Sequence, residues 1–336
     1  MRVLCFNAGS SAIRLAAFDA DDSTLREHMP RKSVTDAGWR SAIGPAFVPD
    51  IVAHRIVRGT KTQVAAELYT DAVNAEILRT EDLAPTHDPH ALALLAASQA
   101  AFPRATQMVV YDTAFHATIP PEHSTYAIPQ DWRAQGIRRI GYHGLSCAWA
   151  AQWLEEHAGA PERAVHAHLG NGCSVTALRN GKSIATTMGY TPLEGMVMGT
   201  RSGSIDPGLL LHLTSSGISA AELRSVLFRE SGLRALAGTN DMRVIEARRA
   251  GDAQAQFAFD VFTASAAAAI AQMAAAAGGL DALTFAGGIG LHSRAVRDAI
   301  CARLEWMLRG VSVYAIDVQE ERMMARAALA ARMPCG

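Results

Sequence analysis

Short apolar runs alternate along this chain with longer stretches of helical period, the pattern of an α/β protein. Arg2–Phe6 reads as an apolar strand, Asn7–Ser11 as a turn of small polar residues, and Ile13–Phe18 as the returning strand of a hairpin. Another turn follows at Asp19–Ser23, and residues 30–48 carry mixed charge and no regular pattern. Asp50–Val57 is β-branched and strand-like, with His54 and Arg55 near its end. Ala91–Phe102 predicts a helix and Gln107–Tyr111 a strand. Asp112 lies just past the C-terminal end of that strand, where open α/β sheets keep their ligand crevice.

The alternation continues. Ser146–His157 predicts a helix and Arg163–His168 the next strand. Val175–Leu178 and Ser183–Thr187 flank Asn180-Gly181, a strong signal for a two-residue hairpin turn. From Ala220 to Ala277 the pattern is mostly helical, and Ala282–Phe285 is a strand running into Gly287-Gly288-Ile289-Gly290. Val296–Leu308, Val311–Ile316 and Glu320–Ala331 predict helix, strand and helix. Gly9-Ser10-Ser11 with Leu15, and Gly172-Cys173-Ser174 with Leu178, share the frame G-[SC]-S-x-x-x-L between two strands. At 336 residues the chain exceeds one ordinary core. Echo and length together predict two related α/β halves facing each other across a cleft.

Composition narrows the function. Apolar residues make up 49% and charged residues 19%, which excludes a disordered chain. A net charge of -1 gives no reason to expect a nucleic-acid or membrane partner. The five cysteines are scattered without a CxxC pair, which argues against disulfides and structural zinc. MRVLCFNAGSS is too short an apolar run for a signal peptide, and Thr263–Ala277 contains Ser265 and Gln272, so it reads as a buried helix. A cytoplasmic, reduced enzyme is expected.

The stretch His168–Gly208 holds the densest chemistry. Its glycine-rich turn, like residues 7–11, can turn several backbone N–H groups toward an anion, or be a plain hairpin turn. It is not a P-loop: Thr176 stands where the first glycine would precede Gly181-Lys182-Ser183. Gly287–Gly290 lies where backbone could approach a nucleotide, or make a tight turn. Arg201, with no bulky neighbours in sequence, suits a transferring phosphoryl group, or is a surface arginine. His143 sits between Tyr142 and Gly144 in a loop, where a structural hydrogen-bonding role competes with a catalytic one.

FNAGSS (6–11), AHRIV (53–57), APTHDP (84–89), YDTAFHATIP (111–120), GIRRIGYHG (136–144), the whole 168–208 segment, NDMR (240–243) and AGGIG (286–290) together resemble the acetate/propionate kinase family of the actin and sugar-kinase superfamily. HLGNG followed by MGYTPLEGMVMGTRSGSIDPG is specific to that family. The resemblance implies two actin/sugar-kinase-like (ribonuclease H-like) α/β domains. One would be residues 1–145, completed by about 318–336; the other, residues 146–317, would bind nucleotide. It implies reversible, ATP-dependent phosphorylation of a short-chain carboxylate with Mg2+, in a homodimer. Carried over, Asn7 and Glu320 hold magnesium; Arg14 (usually Lys), His168, Leu169, Gly170, Asn171, Gly172, Asp241, Met242, Arg243, Gly287, Gly288, Ile289 and Gly290 line ATP/ADP. Arg55 and Arg201 bind the carboxylate and the phosphoryl group. Asp112 serves as acid/base or orienting carboxylate, and His143 bonds the transition state. Val57, Thr86, Tyr142 and Pro192 line the acyl pocket.

The chain departs from that pattern in places. The segment before His54 is shorter by a few tens of residues than the family's. Leu291-His292 replaces Glu-Asn, Gln319 replaces Asn, Ala12 replaces Ser, and Arg58-Gly59-Thr60 replaces His-Gly-Gly. Thr86 and Tyr142 each add a hydroxyl to a pocket that is otherwise apolar, which raises the expectation of a more polar acid. The alternatives are therefore the same chemistry on another short acid, or a nucleotide-binding regulatory homologue with little turnover.

Overall fold

The computed structural model describes residues 1–8, 13–21, 24–35, 38–44, 46–58, 64–79 and 88–332. Its packing divides the chain into two units, residues 1–117 with 319–336, and residues 118–318.

Unit 1 is built on a six-stranded sheet ordered β3-β2-β1-β4-β6-β5. These strands are β1 (Arg2–Ala8), β2 (Ile13–Ala20), β3 (Leu25–Val34), β4 (Ile51–Ile56), β5 (Ala66–Leu68) and β6 (Thr106–Tyr111). β1 and β2 form the expected hairpin, antiparallel from Arg2 opposite Asp19 to Ala8 opposite Ile13. β1, β4 and β6 run parallel, and every residue of β4 is buried, as its β-branched run requires. Leu4, Phe6 and Ala8 face a core with Trp39, Ile77, Leu94 and Leu95. The alternate residue Asn7 bonds Glu320, so the helix Glu320–Arg332 covers the opposite face, burying Met324, Ala325 and Ala328.

The region expected to be irregular, 30–48, holds the end of β3 and a short helix, Trp39–Ile43. β3 is an edge strand whose one buried residue is Met29, and Pro30 sits within it. An edge strand needs no apolar alternation and tolerates proline, so its pattern carries no strand signal.

Unit 2 has a five-stranded sheet ordered β11-β10-β7-β8-β9. Its strands are β7 (Arg163–Leu169), β8 (Cys173–Arg179), β9 (Lys182–Thr186), β10 (Ala282–Ala286) and β11 (Ser312–Ala315). β7, β8 and β9 are an antiparallel meander, and β10 and β11 follow in parallel on the other side of β7. Unit 1 repeats this plan strand for strand in β3-β2-β1-β4-β6. In each unit the shared sequence frame falls between the first two strands of the repeated plan, and its first copy, Gly9-Ser10-Ser11, lies outside the described residues. Asn180 and Gly181 take φ of 48° and 71°, the left-handed pair that the β8–β9 turn requires.

The helix Ala253–Ala277 packs on β7, β8 and β9. Asp252 caps its start by accepting from Gln254 N and Ala255 N, and Gly278 ends it at φ 75°. It is long and apolar enough to cross a membrane, yet its alanines let it approach the sheet closely while Phe259, Phe262 and Ile270 fill the core. Each such side chain contributes about 1.5–3 kcal/mol.

The boundary between units falls at 117/118 rather than near residue 145. The segment from 118 belongs with β9 and the loop after it. Thr118 Oγ1 donates to Ser183 O at 2.7 Å, Arg139 Nη1 to Thr187 O at 2.8 Å and Ile140 N to Gly189 O at 3.1 Å.

Candidate active site

The chemistry-bearing residues gather into one cluster in each unit. In unit 1, β1 carries Asn7 one residue before its end, β4 carries Arg55, Asp112 follows β6, and the helix Glu320–Arg332 starts with two glutamates. All five side chains are nearly inaccessible: Asn7 0%, Arg55 6%, Asp112 1%, Glu320 1%, Glu321 1%. Arg55 Nη2 donates to Asp112 Oδ2 at 2.6 Å and Nη1 to Asn7 Oδ1 at 3.0 Å. Asn7 Nδ2 donates to Glu320 Oε2 at 2.8 Å and to Glu321 Oε1 at 2.7 Å. Asn7 and Glu320, 313 residues apart, therefore meet.

Among the described residues, Arg55 and Arg14 face the carboxylates of Asp112, Glu320 and Glu321. Arg14, expected at the nucleotide, pairs with Glu320, Nη1 lying 3.4 Å from Oε2. Burial alone would weaken Arg55's hold on its proton, but Asp112, then Glu320 and Glu321, reverse this and raise its pKa. Glu321 is pushed up by burial and then by Glu320, and its Oε2 is buried with no partner. Sequence reading passed over Glu321; its one signal was adjacency to Glu320.

In unit 2 the turn between β7 and β8 meets the turn after β10. A Cβ on Gly287, where φ is 74°, would lie 2.5 Å from Leu169 O, and one on Gly170 would lie 4.0 Å from Gly288 N. Only glycine permits that approach. Gly170 N donates to Gly172 O at 3.1 Å. Ile289 and Gly290 continue from this turn into a short helix, Gly287–His292. Arg297 Nη1 donates to the carbonyls of Gly290 and Leu291 at 2.9 and 2.7 Å. Asn171 Oδ1 accepts from Asn240 Nδ2 at 3.0 Å, which ties the glycine turn to the NDMR segment. There Asp241 caps the helix Met242–Arg248 by accepting from Arg243 N at 3.0 Å, and Arg243's side chain folds back onto it. Met242 is buried beneath them.

Arg201 is not the open loop arginine expected from its small neighbours: it is 6% exposed. Its loop is pinned by Met198 N to Arg201 O at 3.2 Å, Leu233 N to Met198 O at 3.0 Å and Ser231 N to Thr200 O at 3.1 Å. Gly232, at φ 63°, lies so close that a Cβ would meet Met198 O at 2.1 Å. Nη1 of Arg201 donates to Pro192 O at 3.1 Å, and no carboxylate pairs with it among the described residues. Burial lowers its pKa, with Cys173 and Tyr142 opposing.

His143 holds φ 58°, a left-handed backbone unusual outside glycine, at the start of the helix Gly144–His157. Nδ1 lies 3.0 Å from Ser174 Oγ, and the ring stacks on His168. A Cβ on Gly172 would sit 3.3 Å from Arg201 Nη1 and 3.5 Å from His143 Nε2. Cation, imidazole and bare backbone therefore line one space.

Of the acyl-pocket residues, Val57 is buried in unit 1, Tyr142 and Pro192 are buried in unit 2, and Thr86 lies outside the described residues. Tyr142 OH donates to Tyr190 O at 2.9 Å, so its proton is already committed. The hydroxyl that suggested a polar acid is engaged with backbone.

The family model of the acetokinase family matches residues 48–328. An acetate kinase from Synechococcus sp. (strain JA-2-3B'a(2-13)) is 44% identical over 261 residues, 76% of this chain and 65% of that protein. The chain thus spans just under two thirds of that relative's length. Among solved structures, a propionate kinase from Francisella tularensis superposes with TM-score 0.85 at 30% identity, covering 98% of this chain and 99% of the other. An acetate kinase from Porphyromonas gingivalis gives 0.83 at 27%, covering 99% and 100%. By motif, fold and family model alike, this chain belongs to the acetokinase family.

Proposed function

We propose that this protein transfers the terminal phosphoryl group of ATP to a short-chain carboxylate, giving an acyl phosphate and ADP, and runs the reverse reaction as well. The observation that carries this reading is Arg201: a buried guanidinium without a carboxylate, beside His143 and the bare backbone of Gly172. A buried, uncompensated cation is costly unless an anion joins it. Phosphoryl transfer supplies one, because its transition state spreads charge over the equatorial oxygens and asks mainly for positioning and charge compensation.

In this reading Arg201's planar fork holds the transferring group, and His143 donates to it with Ser174 fixing the ring. Residues 168–172, 241–243 and 287–290 line ATP or ADP, the glycines letting backbone N–H groups approach phosphate oxygens. Arg55 engages the substrate carboxylate. Asp112 acts as its orienting partner, since Asp112 Oδ2 is bonded to Nη2 at 2.6 Å.

Magnesium fits the unit 1 cluster. Among the described residues no group of three or more His, Cys, Asp or Glu forms a ready metal cage. Magnesium does not need one, because it keeps waters and takes one or two carboxylates together with substrate phosphates. Glu320 and Asn7 would hold it, and the unpartnered Oε2 of Glu321, whose Oε1 accepts from Asn7, is a further oxygen beside them. When bound it would neutralise charge on the nucleotide phosphates.

The committed hydroxyl of Tyr142 supports a short aliphatic acid over a hydroxy acid. We further propose a cytoplasmic enzyme acting as a homodimer, for which the bare helices after residue 206 are the support.

Hydroxylamine trapping of the acyl phosphate tests the activity. Acetate or propionate should exceed glycolate and lactate in kcat/KM, and Arg201→Ala should lower kcat by roughly two to three orders of magnitude with little change in ATP affinity. ATP binding with no hydroxamate from any acid would overturn the reading. Nearly full activity in Arg201→Ala would remove Arg201 from it.

A further inference from the structure

Between β9 and Arg201 the chain forms neither helix nor strand, yet Pro192 is placed so that its carbonyl accepts from Arg201 Nη1 at 3.1 Å. Three side chains brace this loop. Glu194 gives one carboxylate oxygen to each of two partners: Oε1 accepts from Arg139 Nη2 at 2.5 Å, and Oε2 accepts from Tyr126 OH. Each partner has a second hold on the same loop. Arg139 Nη1 donates to Thr187 O at 2.8 Å, and Tyr126 OH accepts from Tyr190 N at 2.9 Å. The guanidinium of Arg139 also lies over the Tyr126 ring, 5.5 Å from its centroid. The loop is thus gripped at Thr187, Tyr190 and Glu194, on both sides of Pro192.

The surrounding chain is fitted to this cluster. A Cβ on Gly189 would overlap both Glu194 Oε2 and Tyr126 OH, so glycine stands beside that contact. Burial, then the bond to Glu194, hold the Tyr126 phenol above its ordinary range, which keeps it a donor. Beyond Glu194, Gly195 N donates to Ser204 Oγ at 3.1 Å and Ser204 N donates to Gly195 O at 2.8 Å, which closes the chain around Arg201. The side chains of Arg139 and Glu194 are 20% and 32% exposed, so as an ion pair they add little to stability. What the arrangement fixes is geometry.

We infer that Glu194, Tyr126 and Arg139 are positioning residues that set the Pro192 carbonyl and, through it, the guanidinium of Arg201. A buried arginine compensates charge on a transferring group only from the right place, and a misplacement of ~1 Å costs about a hundredfold in rate. The inference rests on the phosphoryl-transfer role proposed for Arg201.

Glu194→Ala tests it. The variant should lose roughly ten- to hundredfold in kcat while its KM for ATP stays within about twofold of the wild type. The decisive comparison is made in an Arg201→Ala background, where no guanidinium is left to place: there Glu194→Ala should change kcat by less than about twofold. A structural lesion would lower kcat by the same factor in both backgrounds, and that result overturns the inference, as does a wild-type kcat in Glu194→Ala. Should Glu194→Ala fail to fold, Tyr126→Phe removes a single hydroxyl and should lower kcat about two- to tenfold, again only where Arg201 is present. Equal losses in both backgrounds overturn it there too. If the wild type forms no acyl phosphate from any acid, it is the reading of Arg201 that falls. Crystal structures of the wild type and of whichever variant folds then decide the placement alone: loss of the Arg201 Nη1 bond to Pro192 O in the variant supports it, and survival of that bond refutes it.

Discussion

A histidine that chemistry would tempt one to place in the site shows how much burial decides at the scale of single residues. His54 follows Ala53 in a stretch rich in family motifs, yet it is 1% exposed, stacked on Phe6 with planes at 9°, and bonded through Nε2 to Gln107 Oε1 and Ser98 Oγ at 3.1 and 3.0 Å. Burial lowers its pKa to about 4 against an ordinary 6.5, with the Gln107 bond opposing. The unfolded chain therefore binds a proton at His54 that the folded chain refuses. Stability should fall as pH drops from about 6.5 toward about 4, by about 3 kcal/mol from this residue. Urea unfolding across that range should show the loss in the wild type and a shallower one in His54→Gln; parallel curves would refute it. Residue identities in the site were legible because motifs name them, but their states were not. Arg201's burial, Tyr142's bond to Tyr190 and the unpartnered oxygen of Glu321 all depend on neighbours distant in sequence.

Elements were legible where their pattern answered to a core. β1, β4, β6, β7 and β10 are buried on both faces and read as apolar runs, and the Asn180-Gly181 turn announced itself. β3 did not, because an edge strand owes little to the core. The helix Pro207–Ser215 is the reverse case. Its sequence, PGLLLHLTS, is apolar, with Asp206 capping its start, yet it buries no residue: Leu209 is 45% and Leu211 72% exposed. The helical segments Ala220–Ser225 and Val226–Glu230 bury none either, and Val226 is 39% exposed. Large apolar side chains exposed at a surface suit an interface, and in the homodimer proposed above they would face a second copy of the chain. Leu211→Asp should therefore convert a dimer to a monomer in light scattering without lowering the thermal midpoint of the monomer's fold. A wild-type monomer at micromolar concentration would remove the proposal.

Over the whole molecule, the duplicated sheet plan was foreshadowed by one short frame repeated at residues 9 and 172, and length alone argued for two halves. What could not be read was where the halves divide, since segment 118–145 is claimed by hydrogen bonds to β9 and its following loop rather than by any pattern of its own. The return of residues 319–332 to unit 1 carries a consequence for how the chain assembles. Unit 2 is one continuous stretch, whereas unit 1 has one face of its sheet bare until Met324, Ala325 and Ala328 arrive, and Asn7 waits across 313 residues for Glu320. Closing so long a loop is entropically expensive and slow relative to local pairing. In pulsed hydrogen exchange during refolding, amides of β7, β8 and β10 should gain protection before those of β1 and β4; the opposite order would refute this. On the ribosome the same thread would make the half synthesised first the half completed last, and its uncovered strands the ones most in need of a chaperone.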